Sequence, residues 1–156
     1  MTILKTMEIR NAVISDVEAI HSLISGYAEL DKMLFRSLAE IYENLQIFQV
    51  AEENSLVIGC CALRVVWSDL AEITSLTVEK SHMSRGIGKS LVISAVERAR
   101  KLGLQKVFSL TLEPDFFQKI GFKRISKESL PMKVWSDCAK CSKQEHCDET
   151  AVIYEL

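Results

Sequence analysis

The sequence holds no apolar run approaching the roughly 20 residues that cross a bilayer, and Met1 to Lys5 contains only a short apolar pair. Neither a membrane span nor a secretory leader is therefore expected, and the protein is expected to stay in the cytoplasm. A charge excess of one sign is also lacking. The formal charge of −2 and pI near 6.0 provide no broad basic field to neutralise phosphates, which removes nucleic acid from the expected partners. Internal repeats, low-complexity tracts and linkers are missing too. At 156 residues the chain has room for a single domain, 1–156, and none for a second catalytic domain.

What is present is the balance of a soluble globular protein, 48% apolar and 26% charged. Five cysteines divide into two groups. Cys60 and Cys61 lie inside an apolar run, where they act as small hydrophobes and suit a reducing compartment. Cys138, Cys141 and Cys147, with His146 and Asp148, form a segment at about 134–149 whose spacing a zinc site uses. No fourth ligand is evident, because His146 adjoins Cys147, so free or oxidised thiols are the expectation and no metal is assigned.

Met7 to Val13 alternates as a strand, and Ser15-Asp16-Val17-Glu18 has the form of a capping box opening a helix to about Leu30. A second box, Ser37-Leu38-Ala39-Glu40, opens a short helix with Arg36 just ahead of it. Phe48–Ala51 and Leu56–Val66, separated by a polar reversal, predict an antiparallel hairpin, and Ala71–Val78 a further strand. Ser84-Arg85-Gly86-Ile87-Gly88 then leads into a helix with apolar residues at helical spacing through Leu102, which Gly103 ends. Lys106–Leu112 is another strand, and Pro114 starts a short helix stopped at Gly121. Phe122–Ile125 and Val152–Tyr154 close the order. It predicts a mixed α/β domain in which the long helix spans a strand-helix-strand crossover.

A strand, a glycine-bearing loop and a helix N-terminus in succession suit an anion, since glycines admit close backbone approach and the first helical turn has unpaired N–H groups. Arg85 and Lys89 add positive charge. A tight connection with no ligand has the same local signature. The G-x-G-x-x-G dinucleotide motif after a first strand is absent, and Gly88-Lys89-Ser90 matches only the end of a P-loop.

Leu76 to Leu102 resembles the coenzyme A-binding signature of the GNAT acetyltransferase superfamily, Q/R-x-x-G-x-G/A. Gly86 and Gly88 are retained, while Met83 replaces the usual glutamine or arginine and Ser84 a frequent glycine. Phe116-Phe117-Gln118-Lys119-Ile120-Gly121-Phe122 is similar to a second family segment, near the acetyl group and pantetheine. The resemblance implies the GNAT acyltransferase fold: a mostly antiparallel central sheet with a splayed central strand pair and helices on both faces. It also implies acetyl-CoA as co-substrate, no metal for catalysis, and coenzyme contacts from Leu76, Thr77, Val78, Ser84, Arg85, Gly86, Ile87, Gly88, Lys89, Ser90, Phe116 and Phe117.

Within the superfamily the chain is most similar to the acetyltransferase domain of N-acetylglutamate synthases. The likeness runs through Phe35-Arg36-Ser37, Ile58 to Leu63, Ala71 to Val78, and Ser129-Leu130-Pro131-Met132. It implies a small amine substrate, first of all L-glutamate, and so a place in arginine biosynthesis; a homodimer is compatible with it. Glu72 then takes the ammonium proton, directly or through water. Arg36 pairs with the substrate carboxylate, beside Ser37, which is also a simple helix cap. Arg64 and Lys133 are further candidate cations. Phe117 stands where many relatives carry a tyrosine that reprotonates the thiolate. His21 and His82 are expected at the surface. A different amine, including a polyamine, is the alternative acceptor, and a non-catalytic coenzyme A-binding module is the alternative class.

Overall fold

The computed structural model describes residues 7–131 and 149–156. Lys133, Cys138, Cys141, His146, Cys147 and Asp148 lie outside the described residues, and so do the cation and metal expectations attached to them. The elements are β1 Met7–Asn11, α1 Val17–Glu29, α2 Leu38–Glu43, β2 Phe48–Glu53, β3 Leu56–Trp67, β4 Leu70–Val78, α3 Ile87–Lys101, β5 Lys106–Thr111, α4 Pro114–Ile120, β6 Lys123–Ile125 and β7 Thr150–Glu155. Their hydrogen-bonded order is β1-β2-β3-β4-β5-β7-β6. β4 and β5 run parallel, joined through α3 as the crossover predicts, whereas β1–β2, β2–β3, β5–β7 and β6–β7 are antiparallel.

The chain forms two compact units, Met1–Leu63 with Ser75–Ala95 and Arg64–Thr74 with Val96–Leu156. In the described part of the first, β1 stops at Asn11 rather than Val13 because Val13 N–H donates to the Asp16 carboxylate at 2.8 Å. That carboxylate is gripped by two Arg10 nitrogens at 2.7 and 2.9 Å. A 3-10 turn at Ile14–Asp16 therefore precedes α1, and Asp16, not Ser15, stands at its N-cap. The second capping box forms as expected: Glu40 N–H donates to Ser37 Oγ, and Ser37 N–H to Glu40 Oε1. The β2–β3 reversal narrows to Asn54 and Ser55, both in the left-handed region (φ 53 and 64), the conformation of a two-residue hairpin turn. Val17, Ile20 and Ile24 repeat at helical spacing on α1 and pack with Ile41, Phe48, Val50, Cys60 and Ala62. Burying each of these three side chains stabilises by about 1.5–3 kcal/mol.

The second unit builds its core from Val66, Leu70, Phe108, Leu130 and Ala151. Pro114 occupies the first turn of α4, where its missing N–H costs nothing. Gly121 ends that helix at φ 123, and a Cβ there would stand 2.9 Å from the Tyr154 ring. The position therefore requires glycine both for its backbone angle and for space.

Candidate functional site

β4 carries the site. In the second unit its pairing with β5 comprises Leu70↔Lys106, Ala71↔Val107 and Glu72↔Phe108. At the next residue pair the Ser109 hydroxyl donates to the Ile73 carbonyl at 2.9 Å, so a side chain closes the ladder where backbone pairing ends. In the first unit Ser75 sits at φ 55, a left-handed residue inside a strand that marks a bulge. Cys60 on β3 supports it: Sγ lies 3.4 Å from the Ser75 carbonyl, to which it donates, and 3.1 Å from Thr77 Oγ1.

Beyond the bulge the backbone alternates between edges. Glu79 N–H donates to Ile58 O of β3 at 2.7 Å, which turns the N–H and C=O of Val78 to the other edge. There the Tyr27 hydroxyl takes both: Val78 N–H donates to it at 3.2 Å and it donates to Val78 O at 3.1 Å. Thr77 O faces β3, where a Cβ on Gly59 would meet it at 2.9 Å. By the same alternation Thr77 faces β3 and Leu76 faces the edge that Val78 faces.

Met83 to Gly86 forms the loop before α3. Ser84 and Gly86 take positive φ (68 and 80), and Gly86 O accepts from Ser90 N–H at 3.0 Å, closing the first turn of the helix. The amides of Ile87, Gly88 and Lys89 then stand in that first turn, without the i−4 acceptors available to later residues. No acid lies in it, and Lys89 makes the end more positive still, so an anion has a physical reason to bind. Arg85 points elsewhere: its guanidinium grips Glu53 at 3.1 and 2.6 Å. The positive pole thus rests on backbone amides and Lys89 rather than on Arg85. His82, beside this loop, bonds Glu79 at 2.6 Å and is half-buried. Ser81 and His82 together hold the Glu79 carboxyl below its usual range.

Glu72 is buried, 6% exposed, rather than on an open strand face. Arg64 Nη2 donates to it at 2.7 Å, compensating a charge that burial alone would make costly. Arg64, expected as a second substrate cation, is thereby engaged. Arg36 lies largely covered with Nη1 3.7 Å from Glu40 Oε2, one turn along α2, and the Ser37 side chain is committed to the cap. His21 is half-buried, its ring edge-on to Phe35. In the second unit Phe117 is 3% exposed, edge-on between Phe116 and Phe122 at 5.2 and 5.1 Å. Phe116, half-buried, is the more accessible of the two rings.

Tyr27, Gly59, Ser75 and Ser109 escape a reading of the sequence. Each acts through backbone conformation or a long-range hydroxyl contact, neither of which changes hydrophobic periodicity. Chemically, the first unit offers a helix start whose first-turn amides suit an anion, and the second a buried carboxylate bonded to an arginine.

The acetyltransferase (GNAT) family matches residues 14–122. An uncharacterized N-acetyltransferase of Chlorobaculum tepidum is 42% identical over 148 residues, covering 95% of this chain and 96% of its own. The amino-acid acetyltransferase of Mycobacterium tuberculosis is 39% identical over 135 residues, 85% of this chain and 77% of its own. Among solved structures, N-acetylglutamate synthase from Neisseria gonorrhoeae, complexed with coenzyme A and N-acetyl-glutamate, superposes with a TM-score of 0.88 at 25% identity. That match covers 97% of this chain and 35% of the synthase.

Proposed function

Because this chain belongs to the acetyltransferase (GNAT) family, we propose that it transfers the acetyl group of acetyl-CoA to the α-amine of L-glutamate. The transferase chemistry follows from the family; the acceptor is our inference. The observation that carries it is the 0.88 TM-score to a synthase solved with N-acetyl-glutamate, over 97% of the chain.

In this scheme the amides of Ile87, Gly88 and Lys89 hold the coenzyme diphosphate, and Leu76 N–H stabilises the oxyanion of the tetrahedral intermediate. Glu72 accepts the proton of the substrate ammonium; the freed nitrogen attacks the thioester carbon, the tetrahedral intermediate gives up its second N–H proton to solvent, and the C–S bond breaks to release the thiolate and the neutral amide. Phe117 has no hydroxyl to reprotonate that sulfur. A thiolate is a weak base, and solvent suffices. Arg36 pairs with a substrate carboxylate. The buried, free Cys60 and Cys61 suit a reducing cytoplasm, where the reaction would feed arginine biosynthesis.

Thiol release from acetyl-CoA, followed with a panel of L-glutamate, other amino acids and polyamines, tests the proposal. Highest kcat/KM with L-glutamate is expected. A preference for a polyamine overturns the acceptor, and tight coenzyme binding without turnover of any amine leaves only a binding module.

A further inference from the structure

We propose that Glu53 is a positioning residue for the coenzyme: through a bidentate grip on Arg85 it holds the loop before α3 in the shape that presents its amides to the diphosphate. The inference rests on the coenzyme binding proposed above and extends it to the end of β2, which carries none of the residues assigned there. Glu53 is fixed by backbone on both sides, paired with Met7 of β1 and with Leu56 of β3. Its side chain is buried, whereas that of Arg85 stands half in solvent. Arg85 Nη1 and Nη2 donate to separate carboxylate oxygens at 3.1 and 2.6 Å, the fork-on-fork pairing that fixes a guanidinium in orientation as well as in place. Glu53 is therefore the post and Arg85 the arm.

The arm is attached where the loop needs support. Ser84 and Gly86 take positive φ and Arg85 between them does not, an alternation that turns successive N–H groups toward one concavity. For Ser84 that conformation is unfavourable unless its surroundings hold it. The backbone bonds at the two ends of the loop are local: Met83 N–H donates to Lys80 O at 3.4 Å, and Gly86 O accepts from Ser90 N–H at 3.0 Å. Arg85 reaches across 32 residues, tying the loop to the ladder of β1, β2 and β3. This role has a sign opposite to that of simple electrostatics. Glu53 is a negative charge bonded to a loop that takes a polyanion, so neutralising it should tighten coenzyme binding if charge alone matters.

Glu53→Gln keeps the shape and removes the charge. We expect the calorimetric Kd of coenzyme A and the KM for acetyl-CoA to rise about tenfold, the effect of losing a charge-assisted pair, with kcat and the KM for the amine within about twofold. Arg85→Gln should match it, and the double variant should bind no more weakly than either single one, because the two side chains act as a unit. Unchanged or tighter coenzyme binding in Glu53→Gln overturns the proposal. Additive losses in the double variant do so too, since Arg85 would then meet the phosphates itself, and so does equal loss of affinity for both substrates tracking a fall in Tm, which is general loosening. Should Glu53→Gln not fold, Arg85→Gln alone decides: the same loss of affinity with the salt dependence of the wild type supports the proposal, and unchanged affinity or a flattened salt dependence overturns it. Absence of coenzyme binding in the wild type instead defeats the underlying assignment of the site.

Discussion

Arg64 holds Glu72 by a 2.7 Å bond in a place where the carboxylate is only 6% exposed. In the proposed scheme this carboxylate takes the proton of the substrate ammonium. Glu72→Gln preserves shape and removes basicity, so kcat should fall by about 100-fold or more, the usual contribution of a general base. Coenzyme A affinity should stay within about twofold. Steady-state kinetics at neutral pH with calorimetry checks both, and an unaltered kcat removes Glu72 from the chemistry.

Arg36 gives a separable prediction, because its guanidinium stands just ahead of α2, with Nη1 3.7 Å from Glu40 Oε2 one turn along. Charge-assisted bonds to a substrate carboxylate contribute about 1.5–3 kcal/mol, or roughly 10- to 100-fold. Arg36→Ala should raise the KM for L-glutamate within that range and leave the KM for acetyl-CoA alone. Should glutamate saturate as it does in wild type, the carboxylate contact lies elsewhere.

The acid limb of stability should report Asp16. The two bonds from Arg10 hold its carboxyl below the usual range, against the opposing effect of burial. A carboxyl depressed in the folded state contributes its full stabilisation above the unfolded value of about 3.9 and loses it as pH falls through the lower folded value. Asp16→Asn should therefore cost about 2–4 kcal/mol near neutrality and flatten the decline below about pH 4. Urea titrations across that range decide it; parallel acid limbs in the two proteins would exclude Asp16 as the titrating group.

Much of this architecture is written in local patterns. Ser37 and Glu40 form the reciprocal cap that their spacing predicts, Gly103 and Gly121 take positive φ at helix ends, and α3 carries the crossover between β4 and β5. The site is legible where it depends on a helix N-terminus and on glycines. It is illegible where the partner is remote in sequence: Tyr27 meets Val78 across 51 residues, Ser109 meets Ile73 across 36, and Glu53 captures Arg85 across 32. Ser15 misleads for a related reason, since Asp16, its neighbour, is claimed by Arg10 and starts the helix instead.

Cys60 and Cys61 should resist thiol reagents until the protein unfolds. Burial pushes the Cys60 thiol up to about 12, although its bond with Thr77 works the other way, and burial together with its neighbour raises Cys61. Near pH 8 the Cys60 thiol is then held in its protonated, unreactive form. Peptide mapping after brief alkylation should show the Cys60–Cys61 peptide unmodified in the native protein and fully modified in guanidinium. Rapid native labelling would mean that β3 opens readily beside the bulge.

Gly59 and Gly86 are both glycines near the proposed coenzyme site, yet they should fail differently. At Gly59 a Cβ would stand 2.9 Å from the Thr77 carbonyl, which is backbone, and 3.2 Å from Leu91 Cδ1. Relief requires β4 to move away from β3, so Gly59→Ala should cost about 2–3 kcal/mol, as overpacking does. Coenzyme affinity should fall as well, because Thr77 adjoins Leu76. At Gly86 nothing lies within 4 Å of the added carbon, and only the φ of +80 resists it. The cost there is about 1–2 kcal/mol, that of one left-handed residue. Urea midpoints for the two variants should therefore fall in the order wild type, Gly86→Ala, Gly59→Ala. A reversed order would show that the close approach of β3 to β4 at Thr77 is not what requires glycine at position 59.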